Sequence, residues 1–399
     1  MIILRFRFLY LILYGTFGSL GPFLGPYLHQ LGFNDAQIGR ISACGGMAML
    51  VAPILYGHLA DKHISPQKLM RWGLLLTAAV LTALWCVGAF WQVYILYLLY
   101  ALVSSPLPPL LASMLFAQLQ RMLIAGQVVP SYVSVRLWGS VGFVLPLFLL
   151  WGVFRYSDLP LEIVVPLAAV LSLIGWLCMR ALPDTAVPED AGRGHFPIRD
   201  ALCAFGRADV RHFVIALFFL AVSSATIGSF QTRYLQELGV ASQWIGLIVS
   251  LAVVVEVCFL SLAPVMFRLL GLNGVILFGM AGTVVRLVLL AGIPSIATAL
   301  VAQLFHGPLV LALSIVPSVY VNRRIEEHFR TSTQAALAVL FSGVAALFGC
   351  LIGGYSTQLS PYGGLHGLQV TFLVAAIFAL LAMLWFMLKV RFKRGETAY

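Results

Sequence analysis

The chain carries fourteen aspartates and glutamates, and thirteen of them stand in polar stretches or at the ends of apolar runs. Glu256 is the exception, set deep in LAVVVEVCFLSLAP. A charge at the centre of a bilayer costs at least about 2.5–3.5 kcal/mol on the gentlest scale. A glutamate in such a run is therefore neutral, paired or in contact with water. Two candidate partners follow it, Arg286 in AGTVVRLVLLAG and His306 in VAQLFHGPLV. Counted at about 1.5 Å per residue from the cytoplasmic ends of their helices, Glu256 lies roughly 15 Å in and the other two roughly 20 Å in. The three stand within about one helical turn of a common depth. A guanidinium that approaches and leaves a carboxylate makes it release and take up a proton, and an imidazole can share in the exchange. The same residues also admit a static arrangement, an ion pair of Glu256 with Arg286 and an interior hydrogen bond for His306.

A second basic residue, Arg136 in VRLWGSVGF, opens another apolar run. Turned inward, it offers a five-donor fork to a carboxylate or to sugar hydroxyls, and Trp138 offers a ring to stack on. Turned outward, Arg136 snorkels to the membrane surface. Gln231, Thr232, Arg233 and Gln303 are further polar residues within apolar runs, and Arg233 reads as an anchor at the outer interface. Tyr10, Tyr14, Trp85, Tyr94 and Trp151 read as interface or packing aromatics.

These groups must be held by membrane-spanning elements. Of 399 residues, 61% are hydrophobic and 10% charged, against roughly 25% charged in soluble domains. Apolar runs long enough to cross about 30 Å of hydrocarbon recur twelve times: near 8–28, 36–59, 70–90, 92–116, 134–155, 161–181, 211–235, 242–266, 272–293, 296–320, 332–356 and 367–390. Each should be a helix, because backbone polar groups in lipid must be satisfied within the segment. With the N-terminus in the cytoplasm, 19 Lys and Arg fall on that side and three on the other, Arg40, Arg155 and Arg233. This positive-inside asymmetry places both termini in the cytoplasm and accounts for the net charge of +10 without a nucleic-acid partner. The six cysteines have no metal-ligand or disulfide spacing, and five lie inside apolar runs, so they read as small buried apolar residues. Proline and glycine clusters, GTFGSLGPFLGP in the first run and SSPLPP in the fourth, suit kinked or closely packed helices.

The polar interval 182–210 separates two groups of six runs, giving an N-terminal bundle 1–181, a cytoplasmic linker 182–210 and a C-terminal bundle 211–399. The halves repeat. YLHQLGFNDAQIG at Tyr27–Gly39 matches YLQELGVASQWIG at Tyr234–Gly246; with Phe23 and Phe230 just upstream, seven identities share an offset of 207. A fainter echo at offset 202 pairs SSPL (Ser104–Leu107) with HGPL (His306–Leu309). Two parallel six-helix halves are the architecture of the major facilitator transporters, which bind solute near the midplane and alternate access by rocking.

Between the second and third runs, GHLADKH (Gly57–His63) resembles the major facilitator loop motif G-x-x-x-D-R/K, which implies a gating role for Gly57, Asp61 and Lys62; the basic run that follows it in the family is replaced here by Ile64-Ser65-Pro66-Gln67-Lys68. VRLWGSVGF together with Glu256, Arg286 and His306 looks like the lactose permease, nucleoside:proton symporter and phenylpropionate permease group, the last most of all through SLAVVVEV. That resemblance implies that Arg136 and Glu256 contact substrate and that Arg286 and His306 take part in proton coupling. Two departures stand out. Leu309 replaces the glutamate three residues after the histidine of lactose permease, and Gln118 and Gln120 stand where an acidic partner for the fifth-helix arginine would be. Both argue against galactoside transport of that style and move the proton to Glu256 or His306.

The expected fold class is an all-α membrane protein of twelve transmembrane helices. The expected function is proton-coupled symport of a small organic solute, an aromatic or other carboxylate ahead of nucleosides or sugars. Substrate binding falls to Arg136, Trp138 and Glu256, and proton coupling to Glu256, Arg286 and His306. The alternatives are nucleoside or sugar symport, or proton-driven efflux of a drug or metabolite. A membrane enzyme would need a metal-ligand cluster or a nucleophile with its base, and a sensor would need an added cytoplasmic domain for which 182–210 is too short. No cofactor or metal is expected; the partners are a small-molecule solute, protons and the lipid bilayer, with the protein acting as a monomer in a bacterial-type inner membrane.

Overall fold

The computed structural model describes residues 2–61, 64–180, 205–325, 327–359 and 367–390. Its described residues form twelve helical runs. They are α1 Ile2–Gln30, α2 Asp35–Asp61, α3 Pro66–Trp85, α4 Phe90–Ile124, α5 Tyr132–Tyr156 and α6 Leu161–Arg180. Then follow α7 Ala208–Glu237, α8 and α9 as the two parts of Ser242–Gly292, α10 as Ile296–Gln303 with His306–Arg324, α11 Thr333–Ser356 and α12 Gly367–Lys389. The division of the 51-residue run comes at Gly271, whose φ of 64° and ψ of 178° leave the helical region at little cost to a residue without Cβ.

The repeated motif is a helix end, a turn and a helix start, built the same way twice. Leu31 N–H donates to the Tyr27 carbonyl and Leu238 N–H to that of Tyr234, and the glycines that follow, Gly32 and Gly239, take φ of 86° and 81°. This left-handed residue after the last helical turn satisfies the open carbonyls there. Phe23, Tyr27, Leu28 and Ile38 are buried in the first copy, as are Phe230, Tyr234, Leu235 and Ile245 in the second. In the first copy Asn34 and Gln37 each accept from the other's backbone N–H, a reciprocal cap for α2.

Prolines break α4 and α10 at matching places. Pro106 and Pro308 have no N–H to continue the ladder, and the helices stop at Ser104 and Gln303. The two parts of α10 meet at a bend of 41°. Here lie SSPL and HGPL, so the echo in sequence is an echo in backbone. Wider π-turns occur at Leu311–Ile315 in α10 and Val339–Ala345 in α11.

The chain divides into two compact units: one of Met1–Leu31, Ala48–Gly194 and Ala241–Leu247, the other of Gly32–Met47, His195–Val240 and Ile248–Tyr399. In the first, α1 and α5 cross at glycines. A Cβ on Gly18 would strike the Phe143 backbone and one on Gly142 that of Leu11; small residues let helices approach where lipid supplies no hydrophobic drive. Phe6, Leu9, Tyr10, Met70, Leu74, Leu107 and Leu111 belong to its core. In the second unit, Phe213 stacks on Tyr320 at 3.8 Å within a core shared with Phe267, Met280 and Phe386. The units depart from a simple cut at the linker in two places, since Gly32–Met47 packs with the later helices and Ala241–Leu247 with the earlier ones.

Candidate functional site

Glu256, Arg286 and His306 are brought together inside the second unit, with the imidazole in the middle. Glu256 comes from α8, and Arg286 from α9. His306 begins the second part of α10, where the proline break ends one helical segment and starts another. His306 Nε2 lies 3.5 Å from Glu256 Oε2, and Arg286 Nη1 lies 3.4 Å from His306 Nδ1. Both contacts are long for hydrogen bonds. Arg286 Nη2 donates to Gln231 Oε1 at 2.7 Å and to Gln303 Oε1 at 3.4 Å, while Gln303 Nε2 donates to the Ala299 carbonyl one turn back. Among the described residues no direct ion pair joins Glu256 to Arg286.

Exposure divides the cluster. Arg286 is 1% exposed, and its Nε has no hydrogen-bond partner. The side chains of Glu256 and His306 are 34% and 30% exposed. The guanidinium is sealed in protein, while carboxylate and imidazole open on one side.

The direction of the donors sets the tautomer. A guanidinium has only N–H donors, so the His306 nitrogen facing it must be the bare one. Nδ1 then accepts, and Nε2 carries its hydrogen toward Glu256.

Arg136 lies in the first unit, on the second turn of α5, and its guanidinium carbon sits 4.5 Å from the centre of the Tyr14 ring. Trp138 is two residues on, roughly 200° around the helix. It belongs to an exposed apolar stripe with Leu137, Val141, Leu145, Phe148 and Leu149. Arg136 thus meets Tyr14, an aromatic that sequence reasoning left to the interface belt or helix packing.

Residues 3–364 match the model of the MFS_1 like family. The chain belongs to that family. It is a membrane transporter and not an enzyme, and its fold is the twelve-helix major facilitator fold. The nucleoside permease NupG of Escherichia coli (strain K12) is 22% identical, over 98% of this chain and 96% of its own. A second relative from that organism, the "Probable 3-phenylpropionic acid transporter", is 26% identical over 94% of both chains. The crystal structure of nucleoside transporter NupG superposes with a TM-score of 0.85 at 21% identity, covering 98% of this chain and 99% of that one.

Other expected positions in this member of the family separate into four groups. Gln231 and Gln303, singled out in the sequence only as polar, hold Arg286. Arg233 is not an interface anchor: it is buried and lies 3.5 Å from Asp35, because α2 starts where it can supply a carboxylate. Cys44 and Cys350 are buried as expected, but Cys86 and Cys258 are exposed, a thiol being apolar enough to face hydrocarbon. Of the gating motif, Gly57 and Asp61 stand in the last turns of α2, while their side chains and Lys62 lie outside the described residues.

Proposed function

We propose that the protein is a proton-coupled symporter of a small organic solute, an aromatic or other carboxylate, with Arg136 gripping the anionic end and Glu256 seating the proton. The observation that carries this reading is the imidazole held between Glu256 and Arg286. With Nδ1 committed to the guanidinium, the group free to take a proton is the half-open carboxylate. Protonating Glu256 removes the charge that strengthens its hold on Nε2–H and loosens His306. Moving Arg286 away frees Nδ1, so the charge on Glu256 and the packing of α9 against α10 are linked. A buried guanidinium without a carboxylate in contact supplies a fixed positive field, and the exposed side of the pair gives the proton its path.

The carboxylate is favoured because Arg136 meets a ring and no acid among the described residues, leaving its charge for a solute. A nucleoside fits as a second reading, supported by the likeness to NupG over nearly the whole chain. The charge asymmetry of the loops supports an inner-membrane protein with both termini in the cytoplasm, and a reporter fused to either end should be active only there.

A thermal-shift screen of the purified protein against 3-phenylpropionate, uridine and maltose at two pH values tests the reading. A solute that binds together with a proton binds more tightly as pH falls, so the stabilisation should grow at the lower pH and be largest for the carboxylate. Stabilisation by the carboxylate alone but equal at both pH values would remove the proton. Stabilisation by uridine alone would replace the solute.

A further inference from the structure

Arg136 is held by a ring face, in a space that exists because a side chain is missing. No ion pair among the described residues involves it. One turn along α5 is Gly139, where a Cβ would lie 3.0 Å from Tyr14 Cδ2 and 3.1 Å from Arg136 Nη1, closer than packed side chains ordinarily come. The ring is itself fixed along α1. Tyr10, fully buried, stacks with it at 6.2 Å and 23°, and Phe17 meets it edge-on at 6.1 Å and 82°. Tyr14 therefore cannot swing aside without disturbing both neighbours.

A carboxylate partner would orient a guanidinium and consume its charge and its donors together. A ring face orients it through the quadrupole and, beyond a contact with the Tyr14 hydroxyl, leaves most of the N–H fork uncommitted. We infer that Tyr14 is the positioning residue that aims Arg136 at the solute, and that Gly139 is the notch that admits the stack. The inference rests on the proposed reading of Arg136 as the solute's anchor. It assigns selectivity for an anionic or hydroxyl-rich end to a tyrosine that touches the arginine, with no acid in the pair.

The test compares wild type, Tyr14→Phe, Tyr14→Leu and Gly139→Ala in proteoliposomes, with radiolabelled 3-phenylpropionate and uridine as probes. Losing one cation–π contact should raise KM for the transported probe by about tenfold in Tyr14→Leu and Gly139→Ala, with Vmax unchanged. Tyr14→Phe, which keeps the ring face, should stay within about twofold of wild type. A wild-type KM in Tyr14→Leu, equal losses in the Phe and Leu variants, or a fall in Vmax alone would overturn the inference. A second arm needs no solute: phenylglyoxal, an arginine-selective dicarbonyl reagent, should modify Arg136 several times faster in Tyr14→Leu than in wild type or Tyr14→Phe, read by peptide mass spectrometry. Equal rates overturn the role of Tyr14 even if neither probe is carried. Faster modification in Tyr14→Leu without uptake of either probe by wild type upholds that role and counts against the proposed solutes.

Discussion

Arg286 is enclosed by protein, and its Nη donors meet two amide oxygens and an imidazole nitrogen. Removing it strands no buried counter-charge, because Glu256 contacts His306 and is open to one side. The desolvation relieved by deleting a buried guanidinium and the acceptors left unmet in Gln231 and Gln303 work against each other. Arg286→Met is therefore expected to fold with stability within about 1–2 kcal/mol of wild type and to lose solute accumulation, measured by thermal melting beside uptake. A collapse of melting temperature would show a purely structural guanidinium. This cluster was readable in the sequence because acids are so rare in the apolar runs that Glu256 declared itself, and depth along each helix brought Arg286 and His306 to its level. The order of the three was not readable, since which neighbour stands in the middle depends on helix rotation and on the break at Pro308. That Trp138 leaves α5 on another side than Arg136 was legible from periodicity alone. That Tyr14 meets Arg136 depends on how α1 packs against α5, which local pattern does not carry.

At the scale of the element, breaks and glycines do the positioning. Pro308 cannot donate to the ladder, and the backbone opens at Leu304 and Phe305, just before His306. A proline inside a helix costs about 3 kcal/mol, so Pro308→Ala should raise the melting temperature by extending α10. It should also lower the transport rate by moving the imidazole from between Glu256 and Arg286. Unchanged transport with a straightened helix would detach His306 from the mechanism. Gly39 is a second control point. A Cβ there would lie 2.6 Å from the Cys350 carbonyl oxygen and 2.9 Å from Gly354 Cα, and backbone atoms cannot step aside as side chains do. Gly39→Val should push α2 off α11 and expose Cys350, which is buried with its sulfur 3.0 Å from Ser229 Oγ. Maleimide labelling of Cys350 in a background lacking the other cysteines should then rise several-fold, as for a buried thiol made accessible, while labelling at the parent rate would mean the contact is absent in the working protein. Helix count was legible from hydropathy and the break in α4 from SSPLPP, whereas α4 runs on to Ile124, beyond the expected end near 116. The π-turns in α10 and α11 carry no sequence signal of comparable strength.

Taken whole, the molecule is a pair of compact units in which one stretch, read twice at an offset of 207, builds the same turn with the same buried residues. The repeat was legible because turn glycines and core positions tolerate few alternatives. The assignment of Gly32–Met47 and Ala241–Leu247 to units away from their chain neighbours was not, because tertiary packing decides it. Membership of the MFS_1 like family makes the chain a transporter; the proposed coupling makes one carboxylate decide whether transport runs uphill. The most direct measurement is uptake into proteoliposomes under an imposed pH gradient, wild type against Glu256→Gln, with 3-phenylpropionate and uridine as labelled solutes and exchange counterflow measured in parallel. The account predicts that the variant retains counterflow and loses gradient-driven accumulation. Accumulation by Glu256→Gln at the wild-type level would contradict it.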